Sequence, residues 1–108
     1  DNAPDIFAGN CSLIDQADAV IANLNPFRGS EPDSGTCFEV GYAFAKGKIV
    51  YGYEAGGRTL REKLGEQDKD GFSVEDFGLP LNLMLSCAAK IVKGDFAKAL
   101  AVFAAEQA

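Results

Sequence analysis

The chain has 108 residues, of which 10 are Lys or Arg and 16 are Asp or Glu, so its formal charge is −6. This length suits a single domain, residues 1–108, and the 47% of hydrophobic residues suits a globular protein with a buried core. An acidic chain without a basic run lacks the surface that binds polymeric nucleic acid or anionic lipid, so we expect neither as a partner.

Several residue types and patterns are absent from the sequence. The chain has no His, which excludes Ser-His-Asp triads and His-ligated metal sites, so any acid–base chemistry falls to carboxylates. Its cysteines, at positions 11, 37 and 87, have no metal-site spacing and fit reduced thiols. The longest apolar run, Ala99–Ala105, is far shorter than the roughly 20 residues that span a bilayer. We therefore expect a cytoplasmic protein without a metal site or a cofactor.

Helical and strand patterns alternate along the chain. Helices are predicted where apolar residues recur at helical spacing, and strands where short, almost continuous apolar runs end at turn residues. In chain order, the predicted elements are a helix over Ile6–Ala17, a strand over Ala19–Leu24, a helix over Thr36–Lys46, a strand over Ile49–Tyr53, a helix over Leu79–Cys87, a strand over Ala88–Val92 and a helix over Asp95–Gln107.

This alternation predicts an α/β fold, with a parallel sheet and helices on both faces. Residues 54–78 form a long polar connection, which in a compact domain is usually a functional lid or a mobile segment. Three strands are few for such a sheet, and the chain opens on a helix that needs a sheet to pack on. We therefore expect that a first strand-helix-strand unit is missing from the sequence.

Two acidic residues follow the first predicted strand. Asp33 and Glu39 would lie at one end of the sheet, and ligands bind outside the carboxyl ends of parallel strands. Paired carboxylates suit glycosyl transfer, in which one attacks an oxocarbenium-like carbon while another group protonates the leaving group. The spacing of Thr36 and Glu39 equally matches a capping box, in which Glu39 only bonds to the start of its helix. The spacing alone does not separate these two roles.

The predicted helix that carries Glu39 is apolar on almost all sides. Glu39 and Lys46 are its only charges, so we expect other parts of the protein to cover it. A carboxylate in the first turn of a covered helix lies near the positive end of the helix dipole, which favours its ionised form and suits a nucleophile. The apolar positions are Cys37, Phe38, Val40, Gly41, Tyr42, Ala43 and Phe44.

Residues 18–48, DAVIANLNPFRGSEPDSGTCFEVGYAFAKGK, resemble the core motif of the nucleoside 2-deoxyribosyltransferases, and most closely the trypanosomatid and bacterial type with an NPFRG loop. Residues 77–85, FGLPLNLML, are similar to a second segment of that family. The resemblance implies a flavodoxin-like sheet and exchange of the base of a 2′-deoxyribonucleoside through a covalent deoxyribosyl–enzyme intermediate. It also implies a deoxyribonucleoside and a free nucleobase as partners, a role in nucleotide salvage, and a homo-oligomer with shared active sites.

The resemblance also implies roles for particular residues. Glu39 falls on the family's nucleophile, and Asp33 on a carboxylate that contacts the bound nucleoside. Asn82 falls on a residue that reaches into a neighbouring subunit's site and bonds the sugar hydroxyls; without the family, it is a polar residue at a helix start. Asn10 takes the position at which lactobacillar members have a base-contacting Asp.

Two further sets of residues have more local interpretations. Phe27 and Arg28 are candidates to stack on or bond a base at the mouth of the crevice, although an exposed loop Arg more often faces solvent. Glu66, Asp68, Asp70 and Gly71 fall on positions of a calcium-binding loop, but Phe77 stands where a bidentate Glu is needed. We interpret that run as a solvated loop.

Two alternative functions stay open at this point. A nucleoside or nucleotide N-glycosidase would transfer the sugar to water instead of a base. A non-catalytic nucleotide-binding module would keep the fold without turnover. The retention of both Asp33 and Glu39 favours an enzyme, because a binding module needs no nucleophile at the anomeric carbon.

Overall fold

The apolar runs of the sequence form a parallel sheet in the computed structural model, which describes residues 2–108. Its strands are β1 (Ala19–Asn23), β2 (Ile49–Glu54) and β3 (Lys90–Lys93), and β2 lies in the middle. The described helices are α1 (Ala3–Gln16), α2 (Ser34–Ala45), α3 (Leu60–Leu64), α4 (Leu83–Ala88) and α5 (Phe96–Gln107).

Alternate residues of each strand face opposite sides of the sheet and build two cores. On one side, Val20 and its register partner Val50 pack with buried residues of α1, α2 and α4. On the other side, Tyr51 and Val92 pack against α5, where Ala99 is fully buried. The predicted α/β class, with a parallel sheet and helices on both faces, is confirmed.

Local capping and a proline explain why two helices differ in length from their predictions. α1 begins at Ala3, three residues earlier than predicted, because the Asn2 side chain accepts a hydrogen bond from the first turn. α4 begins at Leu83, four residues later than predicted, with Asn82 as its cap. Pro80 disfavours helical geometry in the residue before it, so the helix cannot start at Leu79.

The long connection after β2 is more ordered than its composition indicates. It contains α3, which the sequence analysis missed and which begins with a capping box formed by Thr59 and Glu62. Further along, an isolated antiparallel bridge joins Gln67 to Ser73. The segment therefore has a local hydrogen-bonded framework that includes a helix, α3, in what was predicted only as a long polar connection.

Gly52 allows the central strand to fit under its neighbours. A Cβ atom at this position would lie 2.3 Å from Cδ1 of Leu24, which is fully buried, and 3.4 Å from Cδ1 of Ile91. Both neighbours belong to the core side that packs on α2 and α4. A side chain here would displace Leu24, the residue that leads out of β1 toward Asp33.

We expect Gly52→Ala to lower the free energy of unfolding by about 1–3 kcal/mol, because the added methyl group overpacks this contact. Gly9→Ala is the matched control: Gly9 lies in α1, and a Cβ there would meet no atom within 4 Å. It should raise stability by about 0.5–1 kcal/mol, as Ala does in a helix interior. Urea unfolding of both variants measures the difference, and equal effects would contradict the proposed contact.

Candidate functional site

The loop that leaves β1 brings Asp33 to the start of α2. The side chain of Asp33 accepts hydrogen bonds from the backbone N–H of Thr36 at 2.9 Å and from its hydroxyl at 3.1 Å. Asp33 is therefore the N-cap, and α2 begins at Ser34, two residues earlier than predicted. The capping box predicted for Thr36 and Glu39 is not formed, because the backbone N–H of Thr36 donates its hydrogen bond to Asp33 and not to Glu39.

Glu39 is consequently free of a capping role. It is the sixth residue of α2 and lies in the second turn, not in the first as predicted. Its side chain is half-buried and has no hydrogen bond or ion pair with any of residues 2–108. A carboxylate without a partner at a cavity wall has its oxygens available for a substrate.

Glu39 lines a cavity of about 390 Å³ between α1 and α2, and Asn10 of α1 lines the same cavity. These two side chains are the polar residues of a wall that is otherwise apolar or glycine. The structure thus brings together two of the predicted site residues that lie 29 positions apart in the sequence. The other lining residues are Ala3, Ile6, Phe7, Cys11, Ile14, Gly35 and Phe38.

Two hydrogen bonds connect the end of α1 to α2 and to the residues that follow it. The Tyr42 hydroxyl donates to the carboxylate of Asp15 at 2.8 Å, and the Lys48 ammonium donates to the backbone oxygen of Asp15 at 3.0 Å. The bond from Tyr42 is the main cause that lowers the pKa of Asp15, and the nearby Lys46 ammonium lowers it further. Asp15 therefore stays ionised in this contact, which fixes α1, and with it Asn10, opposite α2.

The expectation that α2 is covered on all sides is not met within residues 2–108. Phe38 and Phe44 are 51% and 58% exposed, although both are apolar. Phe38 contacts the rings of Phe7 and Tyr42, at centroid distances of 5.7 and 6.2 Å, but still presents half of its surface. Exposed aromatic side chains on both sides of one helix are typical of surfaces that bind a ligand or another protein.

The loop between β1 and Asp33 holds Phe27 and Arg28 in a stacked arrangement. The Arg28 guanidinium lies 4.8 Å from the centroid of the Phe27 ring. Arg28 has a φ of 53°, the only positive φ of a non-glycine residue in the described part of the chain. Neither residue lines the cavity of Glu39, so this structure does not place them, or Asp33, at its wall.

Asn82 lies on the other side of α2. Its side chain accepts a hydrogen bond from the backbone N–H of Leu85 at 3.1 Å, so Asn82 is the N-cap of α4. It also lines a groove of about 530 Å³ between α2 and α4, together with Cys37 and Met84. Burial, and then the Glu31 and Asp33 carboxylates, raise the pKa of the Cys37 thiol, so this thiol is no competing nucleophile near neutral pH.

Glu54 is a buried charged residue that the sequence did not single out, and it lines neither the Glu39 cavity nor the Asn82 groove. It ends β2, is only 2% exposed, accepts a hydrogen bond from the Gly57 N–H at 2.7 Å and lies 3.8 Å from the Lys63 ammonium. The available signal was a carboxylate at the end of an otherwise apolar strand. Its partner Lys63 is on α3, an element that the sequence analysis did not predict.

The described residues offer neither a metal cluster nor a membrane-spanning helix. No group of three or more His, Cys, Asp or Glu side chains within residues 2–108 is arranged to hold a metal ion. In the run with partial calcium-loop spacing, Asp68 accepts hydrogen bonds from the backbone of Asp70 and Phe72 and closes a turn. None of the helices in this part of the chain is long and apolar enough to cross a bilayer.

Comparisons with known proteins agree with the fold. A family profile described as "Nucleoside 2-deoxyribosyltransferase" matches residues 1–84. A solved structure described as "2-desoxiribosyltransferase from Leishmania mexicana" is 42% identical in sequence, with a TM-score of 0.91, over 100% of this chain and 71% of that chain. Comparison with curated protein sequences gives no significant match. The chain belongs to the nucleoside 2-deoxyribosyltransferase family and has its flavodoxin-like α/β fold.

Proposed function

We propose that this protein exchanges the purine or pyrimidine base of 2′-deoxyribonucleosides, with Glu39 as the nucleophile. The observation that carries the proposal is the unpartnered carboxylate of Glu39 at a cavity wall, in a chain that belongs to this family. The other polar residue of the wall, Asn10, lies across from it on α1.

In the proposed reaction, a carboxylate oxygen of Glu39 forms a bond to C1′ of the sugar while the C1′–N bond to the base breaks. The base leaves with the bonding electron pair and takes up one proton. A second base then attacks C1′, loses a proton and releases the Glu39 carboxylate. Each bond formed is matched by one broken, so the reaction needs no oxidant, reductant or cofactor.

The neighbouring residues have complementary roles in this proposal. The amide of Asn10 can both donate and accept hydrogen bonds, which suits the edge of a base, but it cannot supply the proton as an Asp could. Asp33 uses one carboxylate oxygen as a cap and keeps the other for a sugar hydroxyl. Phe27 and Arg28, stacked on the same loop, would offer a flat surface to the base.

The availability of Glu39 also bears on the alternatives. A binding module gains nothing from an unpaired carboxylate at a largely apolar wall, because such a group is costly to desolvate. An N-glycosidase would form the same intermediate and transfer the sugar to water. The two activities separate in one assay, because only the transferase requires the second base to consume its intermediate rapidly.

Replacing Glu39 by Ala or Gln should lower the rate of base exchange at least about a thousandfold, because no other group can form the sugar ester. The fold should be retained, since neither variant removes a cap or a buried ion pair. The measurement is chromatography of a deoxynucleoside incubated with a second free base. Glu66→Ala, which removes an exposed carboxylate of the loop after α3, is the matched control and should keep full activity.

Trapping gives an independent readout of the same step. Incubation with a 2-fluoro-2-deoxynucleoside should add the sugar to the peptide that contains Glu39, as detected by mass spectrometry. A Glu39→Ala protein with wild-type turnover, or a label on another residue, would refute the assignment of the nucleophile.

We expect the protein to prefer 2′-deoxyribonucleosides over ribonucleosides by roughly tenfold or more in kcat/KM. The missing 2′-hydroxyl makes the oxocarbenium-like transition state easier to reach, and a carboxylate beneath the ring leaves little room for the extra oxygen. The test compares deoxyadenosine with adenosine under identical conditions. Comparable kcat/KM values would contradict the expected preference.

We further propose a homo-oligomer in which Asn82 serves the site of a neighbouring subunit. Asn82 and Glu39 line separate cavities on opposite sides of α2, so one subunit does not unite them. The groove around Asn82 is flanked by Phe44 and Met84, which are 58% and 74% exposed. In a symmetric dimer, each subunit would contribute its Asn82 to the other and receive the same in return.

Mixing a chain that lacks the Glu39 carboxylate with a chain that lacks the Asn82 amide tests this arrangement. Asn82→Ala should raise KM for the nucleoside, and a Glu39→Ala chain co-assembled with an Asn82→Ala chain should regain activity, because some sites then contain both residues. Loss of the cap itself costs about 1 kcal/mol, and Asn82→Ser, which keeps a capping oxygen, controls for it. Full activity of a protein that sediments only as a monomer would rule out shared sites.

A further inference from the structure

A third cavity lies beyond the carboxyl ends of β2 and β3, at the end of a parallel sheet where ligands generally bind. Its volume is about 200 Å³, roughly half that of the Glu39 cavity, and the two share no lining residue. The side chains of Glu54, Arg58, Thr59 and Lys93 contribute its polar lining. No role in the proposed base exchange falls to any of them.

The single carboxylate of this cavity is already matched by charge and hydrogen bonding. Glu54 accepts from the Gly57 N–H at 2.7 Å and lies 3.8 Å from the ammonium of Lys63. Arg58 and Lys93, in contrast, form no ion pair or hydrogen bond through their side chains with any of residues 2–108. The cavity therefore carries excess positive charge in a chain whose formal charge is −6.

The side chain of Lys93 is exposed and runs past Gly57 at the rim of the cavity. Gly57 has a φ of 74°, and a Cβ atom there would lie 2.7 and 2.8 Å from Cδ and Cε of Lys93. The aliphatic part of Lys93 thus lies next to the backbone of Gly57, where a side chain at position 57 would shift it. Next along the chain, the Gly94 N–H donates to the Glu54 backbone oxygen at 2.9 Å and fixes the end of β3.

We propose that this cavity binds a phosphate group, either as inorganic phosphate or as part of a phosphate monoester. The Arg58 guanidinium offers a planar fork of donors that matches phosphate oxygens, and Lys93 adds a compact point charge. The Thr59 hydroxyl accepts from the backbone of Glu62 at 3.1 Å, so its hydrogen remains to be donated. The volume of about 200 Å³ is sufficient for a phosphate group.

Calorimetric titration with inorganic phosphate, and separately with deoxyadenosine 5′-monophosphate, tests the proposal. The variant combines Arg58→Met with Lys93→Met, which keeps the length of both side chains and removes both charges. It should bind phosphate at least about tenfold more weakly than the wild type. Lys69→Met, which removes an exposed lysine outside the cavity, is the matched control and should bind as the wild type does. Thermal unfolding without ligand verifies that the variants are folded.

Equal affinities for the two ligands would identify the phosphate alone as the bound group, and tighter binding of the nucleotide would show that its nucleoside part contributes. Absence of phosphate binding by the wild type, or equal binding by the double variant, would overturn the proposal. A third outcome would also overturn the proposal: deoxyadenosine displaces the nucleotide, and the double variant binds the nucleotide as tightly as the wild type does. The nucleotide would then be assigned to the Glu39 cavity. The same titrations on the Glu39→Ala variant, which should not catalyse base exchange, should give the wild-type affinity for phosphate. The test of the phosphate site therefore does not depend on the proposed activity.

Discussion

The close approach of Leu24 to Gly52 is the contact on which the site depends. Leu24 is fully buried, its N–H bonds to the backbone oxygen of Tyr53 at 2.9 Å, and its side chain lies where any residue but glycine at position 52 would place a Cβ. These contacts fix where the chain leaves β1. The loop that carries Phe27 and ends at Asp33 therefore starts from a rigid point, as positioning of a reactive group requires.

The cap that Asp33 supplies to α2 leaves the carboxylate of Glu39 without a capping role. Two side chains are candidates to accept a hydrogen bond from the backbone N–H of Thr36. One is Asp33 as the N-cap, and the other is Glu39 in a capping box that would start at Thr36. In the structure Asp33 takes this role, and Glu39 moves into the second turn without a partner. One carboxylate thus satisfies the backbone so that the other can face the cavity, which assigns different tasks to two residues of the same chemistry.

α2 separates the two halves of the proposed chemistry. Its Glu39 side faces α1 and Asn10, whereas its other side faces α4 and Asn82 across an apolar groove. The proposed contact with a second subunit at this groove would cover Phe44 and Met84, two apolar side chains whose exposure to water is unfavourable. The carboxyl ends of β2 and β3 form a further polar region. There the Lys63 ammonium balances the charge of Glu54, and the side chains of Arg58 and Lys93 have no ion-pair partner among residues 2–108.

The sequence by itself determined the α/β class, the order of the strands and of the helices other than α3, and the identity of Glu39 as the candidate nucleophile. Those features depend on apolar spacing and on a contiguous motif, which neighbours in the sequence carry. Only the tertiary structure decided between the two caps of α2, the placement of Asn10 with Glu39, and the separation of Asn82 from both. It also decided the pairing of Glu54 with Lys63. These outcomes depend on which distant segments pack together, and local patterns do not encode the geometry of such contacts.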